Sequence, residues 1–106
     1  MKPRKVGDTG YPITATLYTN GVVRDLTGSS VVLYMRNRAT RINKIAAAAV
    51  TIVTPTAGTV SYQPSALDVD TEGLYDLEWR ETTLAGKTNH YPSDGFEPLV
   101  LEAPLG

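Results

Sequence analysis

The sequence predicts an all-β domain, an antiparallel β-sandwich, and three observations carry that expectation. Apolar residues recur with a period of two along most of the chain, and no helical period competes with them. Turn-forming residues return about every 8–12 positions, the spacing of an antiparallel sandwich or barrel. The chain has 106 residues and no cysteine, so one core held by packing and ladder hydrogen bonds must suffice.

The elements follow in order. Ile13, Ala15 and Leu17 form one face of a first strand, with Thr14, Thr16 and Tyr18 on the other. Asn20-Gly21 tolerates the positive φ that a tight reversal needs. After the Asp25-Leu-Thr-Gly-Ser29 connector, Val31, Leu33 and Met35 alternate with Val32, Tyr34 and Arg36 in a second strand. A polar, basic loop is expected from Asn37 to Lys44. The next segment mixes signals: four alanines at 46–49 favour helix by propensity, whereas β-branched Val50-Thr-Ile-Val53 favours strand. A strand is expected over the second half.

Thr54-Pro-Thr-Ala-Gly58 reads as a turn, Thr59–Gln63 as a short strand, and Pro64–Thr71 as one helical turn or an irregular crossover. The strongest strand of the second half is Leu74–Thr82, with Tyr75, Leu77 and Trp79 inward and Asp76, Glu78 and Arg80 outward. Ala85-Gly86 marks a hairpin into Lys87–Tyr91, Pro92-Ser-Asp-Gly95 another turn, and Phe96–Leu101 a final strand. About seven strands in a single domain over 1–106 fit an immunoglobulin-like sandwich. Residues 1–6 read as an N-terminal arm and 102–106 as a tail.

Composition narrows the function. A net charge of -1 creates no field that would gather polyanions, so no nucleic-acid partner is expected. The basic residues at the N-terminus are not followed by the apolar stretch of a signal peptide. The longest apolar run, Ile45–Val50, is far short of the roughly 20 residues that cross a bilayer, so no membrane partner is expected.

The order of these elements resembles the N-terminal domain of phage baseplate upper proteins. The matching wording is Gly7-Asp-Thr-Gly10, Ile13-Thr-Ala-Thr-Leu17, Gly21, Asp25-Leu-Thr-Gly28, Val31-Val-Leu-Tyr-Met-Arg36, Ala57-Gly-Thr-Val-Ser-Tyr62, Thr71-Glu-Gly-Leu-Tyr75 and Tyr91-Pro-Ser-Asp-Gly95. The resemblance spans about Gly7 to Leu101 and implies an immunoglobulin-type domain attaching host-recognition parts to a tail. It implies a structural virion protein docked on tail or baseplate, made in the host cytoplasm and present in many copies. Its partners would be tail, baseplate, neck or capsid proteins. Family members continue into a helical linker and a C-terminal module, whereas this sequence stops at Gly106. The attaching half of the role is therefore the half implied. A capsid decoration protein and a host-glycan binder using exposed Tyr18, Tyr34 or Tyr62 are the alternatives.

Chemical motifs are sparse, and no enzyme activity, cofactor or metal is expected. His90 is the only histidine, and neither Ser61 nor Ser93 sits in a strand-turn-helix elbow that would make it a nucleophile. Asp68, Asp70 and Glu72 alternate as calcium ligands do, but the site would need further oxygens, from Asp94 or the main chain. Solvated turn carboxylates, with Asp70 or Thr71 capping the turn, are the plainer expectation. Candidate partner contacts are the arm residues Lys2, Arg4 and Lys5, the basic loop residues Arg36, Arg38, Arg41 and Lys44, and Leu99 and Leu101 on a C-terminal edge. The basic loop lacks the interleaved aromatics that stack bases.

Overall fold

The computed structural model describes residues 1–93 and 95–105. The chain is all-β, with eleven strand segments and two single-turn 3₁₀ helices among the described residues. The strands are β1 (Arg4–Lys5), β2 (Ile13–Thr16), β3 (Tyr18–Thr19), β4 (Val22–Val23), β5 (Ser30–Asn37), β6 (Asn43–Ala49), β7 (Thr51–Thr54), β8 (Thr59–Tyr62), β9 (Gly73–Thr82), β10 (Thr88–Tyr91) and β11 (Glu97–Glu102). The expected count of about seven is too low because the chain breaks long stretches where it changes sheets. It leaves one sheet at the end of β6 and enters another at β7, separated only by Val50.

A large sheet runs β1-β11-β9-β5-β6, with β10 also on β9. A smaller sheet runs β2-β8-β7, and β3 and β4 form a separate hairpin. All pairings are antiparallel except β1 with β11, which is parallel. The β3–β4 reversal uses Asn20 at φ 52° and Gly21 at φ 78°, the two positive values that an Asn-Gly turn supplies.

One apolar core draws on both sheets. Val31, Leu33 and Met35 of β5 and Tyr75, Leu77 and Trp79 of β9 meet Ile13 of β2 and Val60 of β8. The alternation read from β2, β5 and β9 is the burial pattern of these strands. Leu26, in the connector before β5, is also buried and ties that loop to the core. Gly58 sits at φ 67° where a Cβ would lie 2.7 Å from the Arg24 carbonyl oxygen and 2.9 Å from that of Leu17. Only glycine permits that backbone crossing.

Three expectations are corrected. The alanines at 46–49 belong to β6, a strand, because pairing with β5 overrides helix propensity. The register of β6 shifts twice against β5, and Ala47 takes φ 52° in the first shift. Residues 4–6 are not a free arm: Arg4 and Lys5 pair with Leu101 and Glu102, and Val6 N–H donates to the Glu102 carbonyl. β11 is not a simple edge, since β9 lies on one side and β1 covers its last two residues on the other. The turn at 92–95 is described except for Asp94, which lies outside the described residues.

Candidate docking face

The outer face of the large sheet collects the most chemistry. Strict alternation on β5 and β9 turns Tyr34 and Arg36, and Asp76, Glu78 and Arg80, away from the core. Register then sets Arg36 opposite Asp76 and Tyr34 opposite Glu78. The Arg36 guanidinium carbon lies 5.1 Å from the Phe96 ring centre, and that of Arg80 lies 4.5 Å from the Tyr34 ring centre. Arg80 also donates from NH1 to the Tyr34 hydroxyl at 2.9 Å, while its buried Nε has no acceptor among the described residues. Leu74 and Val100 form an exposed apolar pair on neighbouring strands.

Asp76 is the hinge of this face. It is nearly buried although it points outward, because two arginines cover it. Arg38 donates Nε at 3.0 Å and NH2 at 2.5 Å to its Oδ1, and Arg36 NH2 stands 4.0 Å from Oδ2. The hydrogen bond to Asp76 also raises the already high Arg38 pKa.

The expected basic loop is therefore divided. Arg36 and Arg38 are drawn onto Asp76, and Lys44, at the second register shift of β6, pairs with Asp70. Arg41 alone stays exposed without an ion pair among the described residues, at φ 61° on the β5–β6 hairpin. The cluster is not a free cationic patch, because acids distant in sequence arrive beside it.

The other candidate contacts separate similarly. Lys2 is exposed, and Lys5 pairs loosely with Glu102 at 3.8 Å. Arg4 is corrected from an exposed contact to a buried tie, 5% exposed. Its NH1 donates to the carbonyls of Asp8 at 3.0 Å and Tyr11 at 2.7 Å, its NH2 to that of Pro12 at 3.0 Å, and the Tyr11 ring lies 4.0 Å away. Leu99 and Leu101 are corrected too: odd positions of β11 face the core, and Pro98, Val100 and Glu102 are the exposed set.

The carboxylate series at 68–72 is committed to local structure. Asp68 accepts from Ser65 N–H at 2.8 Å, completing a capping box on the 3₁₀ turn Ala66–Val69, and from the Tyr62 hydroxyl at 2.6 Å. Burial and the bond to Asp68 push the Tyr62 hydroxyl up to about 12. Asp70 accepts from Lys44 and from Thr71, and both bonds hold its carboxyl below the usual range. No cluster of three metal-ligating side chains occurs among the described residues; the Asp94 oxygen belongs to an undescribed residue. On this turn Ser65 is the N-cap, Asp68 closes the capping box, and Asp70 is the C-cap residue.

Sequence reasoning missed Glu81. It continues the inward parity of Tyr75, Leu77 and Trp79 and is 0% exposed. Ser29 Oγ donates to Oε2 at 2.5 Å; Arg24 Nε at 3.2 Å, Asn89 Nδ2 at 3.2 Å and the Tyr91 hydroxyl at 3.0 Å donate to Oε1. Burial pushes its pKa up, but the donors from Ser29, Arg24, Tyr91 and Asn89 outweigh that and hold it below the usual glutamate value. The parity was legible; the donors, from the β4–β5 connector and from β10, were not.

No protein-family model, curated protein or solved structure matches the chain. Its reading therefore rests on these residues.

Proposed function

We propose that the chain is a non-enzymatic docking module of a bacteriophage particle, an immunoglobulin-like sandwich seated on the tail or baseplate. The observation that carries the docking reading is the outer face of the large sheet, where Arg36, Arg80 and Tyr34 stand on β5 and β9 and Phe96, just before β11, meets Arg36. Arginine and aromatic side chains are the residues enriched in interface cores, and fixing them beforehand lowers the entropy cost of association. The particle assignment rests on the ordered sequence resemblance.

Strand order supports the immunoglobulin-like part. Reading β2, β5, β6, β7, β8, β9 and β11 as B, C, C′, D, E, F and G gives a G-F-C-C′ sheet over a B-E-D sheet. Tyr75, near the start of the F-position strand, donates its hydroxyl to the Thr71 carbonyl at 2.9 Å, as a tyrosine corner does. The tryptophan stands on the F-position strand rather than C, and no disulfide joins the sheets.

The test is assembly. Particles assembled without the protein are supplied with wild type or with the Arg36→Ala/Arg80→Ala double variant, each checked for folding. Wild type is expected to associate stoichiometrically and the double variant to fall at least tenfold, since interface arginines commonly contribute about 2 kcal/mol. Equal incorporation of both overturns the face, and absence of wild type from purified particles overturns the function. Density on the head rather than the tail would place the chain as a decoration protein. For the glycan alternative, Tyr18 alone of the three tyrosines is exposed: Tyr34 is taken by Arg80 and Tyr62 by Asp68.

A further inference from the structure

The smaller sheet has an unfilled edge. β2 pairs with β8 on one side only, at the position where a B-E-D sheet would take one more strand. Leu17 N–H donates to the Gly58 carbonyl, which fixes the parity of the β2–β8 ladder. With Thr16 opposite Thr59 and Ala15 opposite Val60, residues 13 and 15 turn their main-chain groups to β8, while the Leu17 carbonyl accepts from Arg24 N–H. Thr14 and Thr16 therefore turn theirs outward, an N–H and a C=O each. No hydrogen bond from another element reaches these groups among the described residues.

The chain's own N-terminus does not pair with this edge, although Met1, Lys2 and Arg4 line the first hollow beside Ile13 and Thr14. β1 lies in the large sheet, and the crossover to β2 is tied back by the three carbonyl bonds of Arg4. What remains between β2 and β11 is a groove of two joined hollows, about 330 and 290 Å³, that meet at Glu97. Glu97 is half-buried and makes no ion pair among the described residues. Trp79 lines the second hollow, where the chain leaves β9 between Tyr91 and Glu97. Its indole Nε1 is buried and has no acceptor among the described residues.

We infer that the free edge of β2 accepts an extended peptide segment from a neighbouring protein, laid in the groove between β2 and β11. A strand is the ligand whose repeating N–H and C=O groups satisfy the outward groups of Thr14 and Thr16 together. Its groove-facing side chains, at alternate positions, meet Ala15 and Leu17 and then Glu97, so the segment carries small apolar residues and one Lys or Arg. This site lies on the sheet opposite the docking face and is independent of it.

The experiment is selection of a random peptide library on the immobilised full chain, followed by amide and indole NMR of the chain with the best synthetic peptide. The expected winners alternate apolar residues with a basic one, protect the Thr14 and Thr16 amides from exchange, and shift the single indole resonance. Thr14→Pro and Thr16→Pro each remove one outward N–H at a position where an edge strand tolerates proline. Each is expected to weaken the peptide at least tenfold while leaving thermal unfolding near wild type, and Glu97→Gln to relax the basic preference without affecting folding. Failure to enrich any peptide overturns the inference, as does equal binding by both proline variants or by Glu97→Gln with its preference intact. A titration with glucose, galactose and N-acetylglucosamine that moves the indole resonance without protecting Thr14 and Thr16 assigns the groove to sugars and overturns it too. Concentration-dependent dimerisation through the same amides assigns the edge to a second copy and does the same. Loss of particle docking in the Arg36/Arg80 variant leaves this result unchanged, so the two sites fail separately.

Discussion

Replacing Glu81 by alanine is expected to remove about 3–5 kcal/mol of stability, the range for breaking a buried ion pair by deleting one partner. The structure shows how that figure arises. Arg24 is one-third exposed and regains water when its partner goes, so it adds little. The Tyr91 hydroxyl is buried and loses its acceptor, a loss of about 1–3 kcal/mol, and Ser29 Oγ loses the acceptor at 2.5 Å. The vacated side-chain volume, in a residue 0% exposed, supplies the remainder. For a domain stable by about 5–15 kcal/mol, this is a large fraction. Urea unfolding followed by Trp79 fluorescence measures it, since Trp79 is the only tryptophan and lies on the same strand. Acid provides a second reading. The folded pKa of Glu81 lies below its ordinary 4.5, so its contribution is complete above that value and is lost as pH falls through the folded pKa. The stability gap between wild type and Glu81→Gln must therefore narrow below about pH 4.5. A loss under about 1 kcal/mol for Glu81→Ala, or a gap unchanged from neutral to acid pH, refutes the reasoning.

Three further outcomes are expected. Tyr75→Phe removes one hydroxyl bond to the Thr71 carbonyl and is expected to cost about 0.5–1.5 kcal/mol in the same urea assay, with no change in m-value. Gly58→Ala meets two carbonyl oxygens closer than 3.0 Å in a left-handed conformation, so its loss must exceed the roughly 1–2 kcal/mol of that conformation alone, read as a lowered Tm. Arg38→Ala is expected to cost no more than about 1 kcal/mol in thermal unfolding, because its side chain is half exposed and Arg36 still stands beside Asp76.

The parts of the fold that were legible obey local rules. Alternation placed Val31, Leu33 and Met35 inward, Asn20-Gly21 announced its reversal, and Ala85-Gly86 its hairpin, with Gly86 at φ 82°. What escaped depends on contacts between distant segments. Nothing near residue 36 announces that Asp76 will sit opposite it, so the loop read as cationic when most of its charge is paired. Leu99 and Leu101 looked available because Glu97–Glu102 reads as an edge, whereas the parity of β11 turns both side chains into the core. Arg4 reads as part of an arm free to meet a partner, and three carbonyls of its own chain hold it instead.

Two of the three carboxylates of β9, Asp76 and Glu81, show how one strand serves both stability and the proposed docking. Asp76 and Glu81 differ by an odd number of positions, so the pleat sends them to opposite faces. Glu81 turns inward, where water is absent, and its charge persists only because four donors converge on it; that convergence holds the connector before β5 and strand β10 against β9. Asp76 turns outward, where water is available, yet Arg36 and Arg38 cover it. The inward carboxylate thus determines whether the sheet is rigid, and the outward one determines the electrostatics of the surface it presents. Without Asp76, Arg36 and Arg38 would repel each other and leave a cationic patch that attracts any polyanion. With it, the face is nearly neutral and shaped by rings and guanidinium planes, which favours a partner of matching form over one that is merely acidic.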